Sequence, residues 1–290
     1  MKKKKFVSFV CGALLIGATL TACSSNQSTV GIGIDQAKTV GFMQLANENK
    51  ERIWFDVNDS NDDDLISKDD TVDRVFVIKN GKVDIYHTTG VELSEFKDMS
   101  DKDIVKLMKQ MDKEFIDSEI EGMIQSINVS IEDEESMIKE LESQDQEYNS
   151  PGASQTEIDI YKHNIQLYEE RKSQFQELNY EDIKKLYSNF PITGIVETDA
   201  SGNNVATESI ELPSEFEFGD DATNIYSETF ELLPEQYGRL NKVYYPVQGE
   251  VYQQSYKGYN VNNIFWVTTS LDDSVNLGFD TLDTKNVTEE

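Results

Sequence analysis

The sequence predicts an α+β protein in which antiparallel β segments at both ends flank a long antiparallel helical hairpin. Three observations lead there. Runs rich in β-branched and aromatic residues with period-two patterning fill much of 52–87 and 192–268. Between them, apolar residues recur at three- and four-residue steps over two long stretches. A turn-rich segment, Tyr148-Asn-Ser-Pro-Gly-Ala-Ser154, joins those stretches and folds one helix back on the other.

In chain order, Arg52 to Val57 reads as a strand. Asp73 to Lys79 and Lys82 to His87 flank Asn80-Gly81, the residue pair that suits a type I′ hairpin turn because both positions need positive φ. Ser100 with Asp103 forms a variant capping box, after which Ile104, Met108, Met111, Phe115, Ile120, Met123, Ile127 and Ile131 mark a helical stripe. Carried to about residue 147, that helix is roughly 65–70 Å long. Gly122 and Asn128-Val-Ser are places where it could bend. A second helix starts near Gln155, with Ile158, Tyr161, Ile165, Tyr168, Phe175 and Leu178 on one face, and a short third runs from Tyr180 to Asn189. From Ile192 the period becomes two, with strands expected over 192–197, 205–212, 226–230, 243–247, 251–256 and 264–268. Gly249 and Gly258 read as turns, and the last dozen residues as a frayed tail. Whether the two β segments share one sheet stays open. The resulting division is 1–22 leader, 23–48 tether, 49–98 N-terminal β-hairpin layer, 99–190 helical hairpin and 191–290 C-terminal β domain.

The first residues carry an address. Lys2 to Lys5 precede an uncharged apolar run, Phe6 to Leu20, too short for a stable membrane span. The run ends in Leu20-Thr21-Ala22-Cys23-Ser24-Ser25, which resembles the lipobox of bacterial lipoproteins of the Gram-positive type. The resemblance covers about the first 25 residues and implies cleavage before Cys23 and a diacylglyceryl, palmitate-type lipid on its thiol. The protein is then expected at the cell membrane, lipid-anchored and facing the extracellular side. Cys11 lies within the run removed by that cleavage, which leaves Cys23 alone and no disulfide framework, so stability must come from a packed core.

Composition narrows the partners. The chain carries 26 basic and 55 acidic residues, a formal charge of -29, which argues against nucleic acid. It favours basic partners or divalent cations, and it equally suits a surface kept soluble by self-repulsion. Aromatic residues at 10% argue against wholesale disorder.

Two constellations stand out. Asp59, Asn61, Asp63 and Asp70 take positions 1, 3, 5 and 12 of a twelve-residue acidic loop with Ile66 at position 8, a spacing of hard oxygen ligands suited to calcium. It resembles an EF-hand loop, but Asp64 stands where glycine is usual, Asp70 is shorter than the usual Glu, and the flanks read as strands. The alternative is a solvated connection between strands. Near the C-terminus many tyrosines cluster, and Tyr256, Tyr259 and Trp266 are candidates for stacking on a sugar or partner; strand residues building a β core would look the same.

Catalytic signatures are sparse. Only His87 and His163 are present, in different elements, which excludes the two-histidine zinc-protease helix motif. No cofactor is called for apart from calcium. The expected function is therefore a non-catalytic, lipid-anchored binding or interaction protein, its partner an envelope protein or wall polymer. The alternative is an envelope enzyme or substrate-binding lipoprotein acting on wall glycan or peptide. A pocket gathering His87 with carboxylates would favour the alternative, and an exposed contact surface the first reading.

Overall fold

A computed structural model gives the fold and describes residues 38–61, 63–186, 188–213, 218, 223–226, 239–262 and 264–290. The leader and Cys23 lie outside the described residues. In order, the elements are β1 (Lys38–Val40), α1 (Phe42–Ala46), β2 (Arg52–Asn58), β3 (Thr71–Lys79) and β4 (Lys82–Glu92). A 3-10 turn (Leu93–Phe96) leads to α2 (Asp101–Glu147), α3 (Gln155–Glu177) and α4 (Tyr180–Leu186). There follow β5 (Phe190–Pro191), β6 (Thr193–Thr198), β7 (Val205–Leu212), β8 (Arg239–Val251), β9 (Gln254–Val261), β10 (Ile264–Thr268), β11 (Val275–Leu277) and β12 (Val287–Glu289).

The class is α+β, and the two β segments form one sheet. Its order is β12-β6-β7-β8-β9-β10-β2-β3-β4-β5, joined across the molecule by antiparallel pairing of β10 with β2. Because β5 passes through the single residue Ile192 into β6, the chain itself closes the ring from β2 round to β10. Ring closure leaves few edges for other chains to pair with. The enclosed core draws on strands all the way round: Trp54, Phe76, Ile78, Val83, Ile85, Ile210, Val243, Tyr259, Val261 and Trp266.

One end of this barrel is plugged by α1. Phe42, Met43, Leu45 and Ala46 are buried, and the Phe42 ring lies 5.0 Å from Trp54 and 5.7 Å from Trp266. The N–H groups of Asn80 and Gly81 bond to the carbonyls of Glu48 and Ala46, fixing the plug to the β3–β4 turn. Val40, Phe42, Met43, Leu45 and Ala46, read from sequence as part of the tether, are therefore core. Asn80 and Gly81 have φ of 56° and 75°, the left-handed pair expected for that turn.

Helix α2 begins as its cap foretells: Ser100 Oγ accepts the Asp103 N–H at 3.3 Å. Ile104 and Met108 then pack on the outer face of the barrel with Ile53, Phe55, Val75 and Phe265. Farther on, Ile116, Ile127 and Ile131 join Phe175, Ile183 and Phe218 in a third cluster. From Glu132 to Glu157 no side chain of the hairpin is buried, although each helix still runs beside the other. Neither Gly122 nor Asn128 interrupts α2.

Three local readings are corrected. The expected strand 251–256 is cut by a two-residue turn at Tyr252-Gln253, with φ of 51° and 67°, while Gly249 and Gly258 lie inside β8 and β9. Gly258 is there because a Cβ would collide with the Trp266 backbone of the neighbouring strand. The C-terminal dozen residues are not frayed: β12 pairs with β6, and Asp280 is fully buried. Of the expected strand 226–230, Tyr226 sits in a turn and the rest lies outside the described residues.

The plug is testable. Phe42→Ala removes a ring in contact with both tryptophans and should cost about 3–5 kcal/mol, measured by denaturant unfolding followed by tryptophan fluorescence. A loss below about 1 kcal/mol would show that α1 is peripheral.

Candidate functional site

At the barrel end away from α1, the inward row of side chains turns polar. Cross-strand pairing sets Trp266 beside Asp56, Asp56 beside Arg74, and Arg74 beside His87. Of these, Asp56, Arg74 and His87 line a cleft of about 370 Å³ with Asp73, Thr88, Phe115, Asn241 and Asn262.

Asp56 is 3% exposed. Its Oδ2 receives the Arg74 Nε at 2.6 Å and lies 2.5 Å from Nη2, and its Oδ1 receives the Trp266 Nε1 at 3.1 Å. Burial pushes the Asp56 carboxyl above the ordinary range, against the pull of the Arg74 charge. The guanidinium also sits 5.5 Å from the Phe76 ring centroid.

Behind the cleft wall stands Asp112 of α2, fully buried. Its Oδ1 accepts the His87 backbone N–H and faces His87 Nδ1, each at 2.9 Å. Its Oδ2 accepts the Tyr180 hydroxyl at 3.0 Å and Lys184 Nζ at 2.8 Å. The β3–β4 register shifts between Val72 and Arg74, opposite Val91 and His87, so this stretch of β4 leaves the regular ladder and Asp112 takes up its N–H. Burial alone would raise the Asp112 carboxyl. The hydrogen bonds from His87 and the charge of Lys184 outweigh it and hold the group below the usual carboxylate range. Lys184 is pulled down by burial despite Asp112, and its ammonium lies 3.8 Å from the Tyr86 ring centroid. The His87 ring stacks on Phe115 at 5.0 Å.

A histidine oriented by a buried carboxylate is an arrangement used in base catalysis. Here the same carboxylate also ties α4 to α2 and β4. Among the described residues no serine or cysteine lines the cleft, and Thr88 Oγ1 donates to the Val72 carbonyl. Arg74 is paired with Asp56 and His87 with Asp112, which makes this row a polar joint between barrel and helices.

The other sequence candidates fall elsewhere. Tyr256, Tyr259 and Trp266 are 2%, 0% and 1% exposed and belong to the cores, so they offer no face to a ligand. The exposed tyrosines of that region are Tyr226, Tyr244, Tyr245 and Tyr252. His163 is exposed on α3.

In the acidic loop, Asp59 accepts the N–H groups of Asn61 and Asp64 at 3.2 and 2.7 Å, and Asp63 accepts that of Leu65. Asp64 takes φ 59° at the position where glycine was expected, and Ile66 is buried against the barrel. Buried Asp70 accepts from the Ser67 N–H, the Ser67 hydroxyl and the Ser60 N–H. The four candidate ligands thus hold the loop's own shape, with Asn61 bonded to Ser67. Among the described residues, no group of three or more His, Cys, Asp or Glu converges as a metal site.

No family model, known protein or solved structure matches the chain. Sequence reasoning identified His87 but missed Asp112, Lys184 and Arg74. An Asp at position 112 on an otherwise apolar helical face, between Met108 and Phe115, was the available clue.

Asp112→Ala should destabilise the fold by about 3–5 kcal/mol, because it leaves the Lys184 charge buried without its partner. The folded pKa of Asp112 is lowered, so its stabilisation is present above the ordinary carboxylate pKa and is lost as pH falls through the folded value. Unfolding curves at neutral and acidic pH should show less acid loss in Asp112→Asn than in the parent; parallel curves would contradict this assignment.

Proposed function

We propose that the protein is a non-catalytic binding protein of the cell surface, lipid-anchored through Cys23, with the barrel as scaffold and the helical hairpin as contact arm. The observation that carries the reading is the outer part of that hairpin. From Glu132 to Glu147 α2 extends about 24 Å without burying a side chain. Core packing is not what keeps such a length of helix. Between Glu132 and Glu157 stand nine acidic residues and one basic, Lys139, so a complementary partner is basic. Among the described residues no helix is long and apolar enough to cross a membrane, which leaves membrane attachment on this reading to the lipid.

Two measurements test it. Detergent phase partition should place the protein in the membrane phase and Cys23→Ser in the aqueous phase; unchanged partition of the variant would remove the anchor. A variant with residues 135–157 replaced by a short turn should keep the cooperative unfolding of the barrel. It should also lose salt-sensitive capture of basic envelope components by the parent. Equal capture by both would remove the hairpin from the function.

A second reading, an envelope hydrolase, has one observation in its favour: His87, held by Asp112, faces the polar cleft. Turnover of wall glycan or peptide that His87→Ala abolishes would replace binding by this reading.

A further inference from the structure

Under the α1 plug lies a second buried acidic group that the binding reading does not use. Asp280, just beyond β11, and Glu208 of β7 are both 0% exposed. Asp280 Oδ2 and Oδ1 accept the N–H groups of Met43 and Gln44 at 2.5 and 3.0 Å, so one carboxylate caps the first turn of α1. The Asp280 N–H in turn bonds to Glu208 Oε2 at 3.0 Å. Glu208 Oε1 is buried without a hydrogen-bond partner. The fit is close, since a Cβ at Gly41 would run into the Asp280 carboxyl.

Burial and mutual repulsion both disfavour ionising the two carboxyls together in that space. Burial raises the Asp280 carboxyl while the α1 N–H groups favour its negative charge, and among the described residues no cation is seen acting on Glu208. A proton on Glu208 resolves both difficulties: it removes the repulsion, and it turns the unpartnered oxygen into a donor toward Asp280. We propose that Glu208 and Asp280 share one proton and that this proton latches α1 into the barrel, so that its loss at alkaline pH releases the plug.

The groups facing the pair fit a latch. From β9 comes Tyr259, whose hydroxyl donates to the Gly278 and Val40 carbonyls, either side of α1 and Asp280. Burial, and then the charges of Glu208 and Asp280, keep that phenol protonated. From the segment after Asp280 comes the Thr284 hydroxyl, and from α1 only backbone N–H groups. Burial first, and Asp280 second, push the Glu208 carboxyl up to about 9. Its folded pKa is raised, so the latch is fully stabilising below the ordinary glutamate value and weakens as pH rises through about 9. The segment released, residues 38–46, follows directly on residues 23–37 and thus on the proposed anchor. The latch does not depend on the binding reading.

Phe42 touches both of the chain's two tryptophans, so intrinsic fluorescence reports the plug. The full-length chain in detergent, titrated from pH 7 to 10, should show a reversible red shift with its midpoint near 9 while the far-ultraviolet dichroism of the hairpin persists. Glu208→Gln keeps a donor toward Asp280 but cannot ionise, and should show no shift in that window. A shift of Glu208→Gln at the same pH as the parent would overturn the proposal. Should Glu208→Gln fail to fold, infrared spectroscopy of the parent decides. A buried carboxylic-acid C=O band at pH 7 that fades on the same titration supports the latch, and the absence of that band at pH 7 overturns it.

Discussion

The architecture depends on one pairing, the antiparallel contact of β10 with β2. It sets Phe265 against Val57, Trp266 against Asp56 and Val267 against Phe55, joining strands more than 200 residues apart in sequence. Without it, β2 to β5 and β6 to β10 would lose their hydrogen-bonded connection, and each would expose an apolar face. With it, Trp54, Phe76 and Trp266 face a common interior that α1 can fill. Contacts of such sequence separation demand that much loop entropy be lost before they stabilise anything. The helical hairpin reduces that demand: α2, α3 and α4 fold locally and return the chain beside β4, where β5 can pair.

A long-range closure needs a joint that tolerates no slippage, and the polar row supplies it. An apolar contact between α2 and β4 could slide by a residue at modest cost. Asp112 cannot, because its two oxygens serve a backbone N–H and an imidazole from β4 and a phenol and an ammonium from α4. Asp56 does the same between β2, β3 and β10. Buried ion pairs of this kind add little net stability but penalise every alternative register heavily. That is also why the histidine and carboxylates gathered at the cleft do not by themselves argue for chemistry.

The parts of the fold that obey short-range rules were readable in advance. Asn80-Gly81 needs two positive φ values, Ser100 caps the helix that follows it, and the stripe from Ile104 to Ile131 has one possible partner across a tight turn. What escaped reading depends on distant neighbours. Tyr252-Gln253 makes a turn usually left to Asn and Gly because β8 and β9 are held by the rest of the barrel. Gly258 looks like a turn residue yet serves the close approach of β10. Tyr256, Tyr259 and Trp266 have the same aromatic character whether they line a core or a binding face, and only ring closure decides. The tail looked frayed because its polar residues are numerous, yet Asp280 is buried through bonds to residues 236 and 237 positions away. Of the site, His87 was legible as a residue but not as a member of a network, since Arg74, Asp112 and Lys184 lie on three other elements that sequence spacing does not bring together.

Barrel and hairpin also differ in what opening them costs. Unfolding the barrel exposes an interior to which α1 and strands from both ends of the chain contribute, so its opening is close to global. The hairpin beyond Ile131 is held by a half-buried seam of Ile138 and Leu141, by Asn164 bonded to Glu134, and by the Asp145 carboxylate on Ser154. Repulsion among its acidic residues opposes even that. Its outer turns can therefore open and reclose while the barrel stays intact, a separation of local from global stability. An arm that is rigid at its root and yielding at its tip can adjust to a partner without disturbing the body that carries it. On the proposed binding reading, a basic partner that neutralises the repulsion would order the arm as it binds.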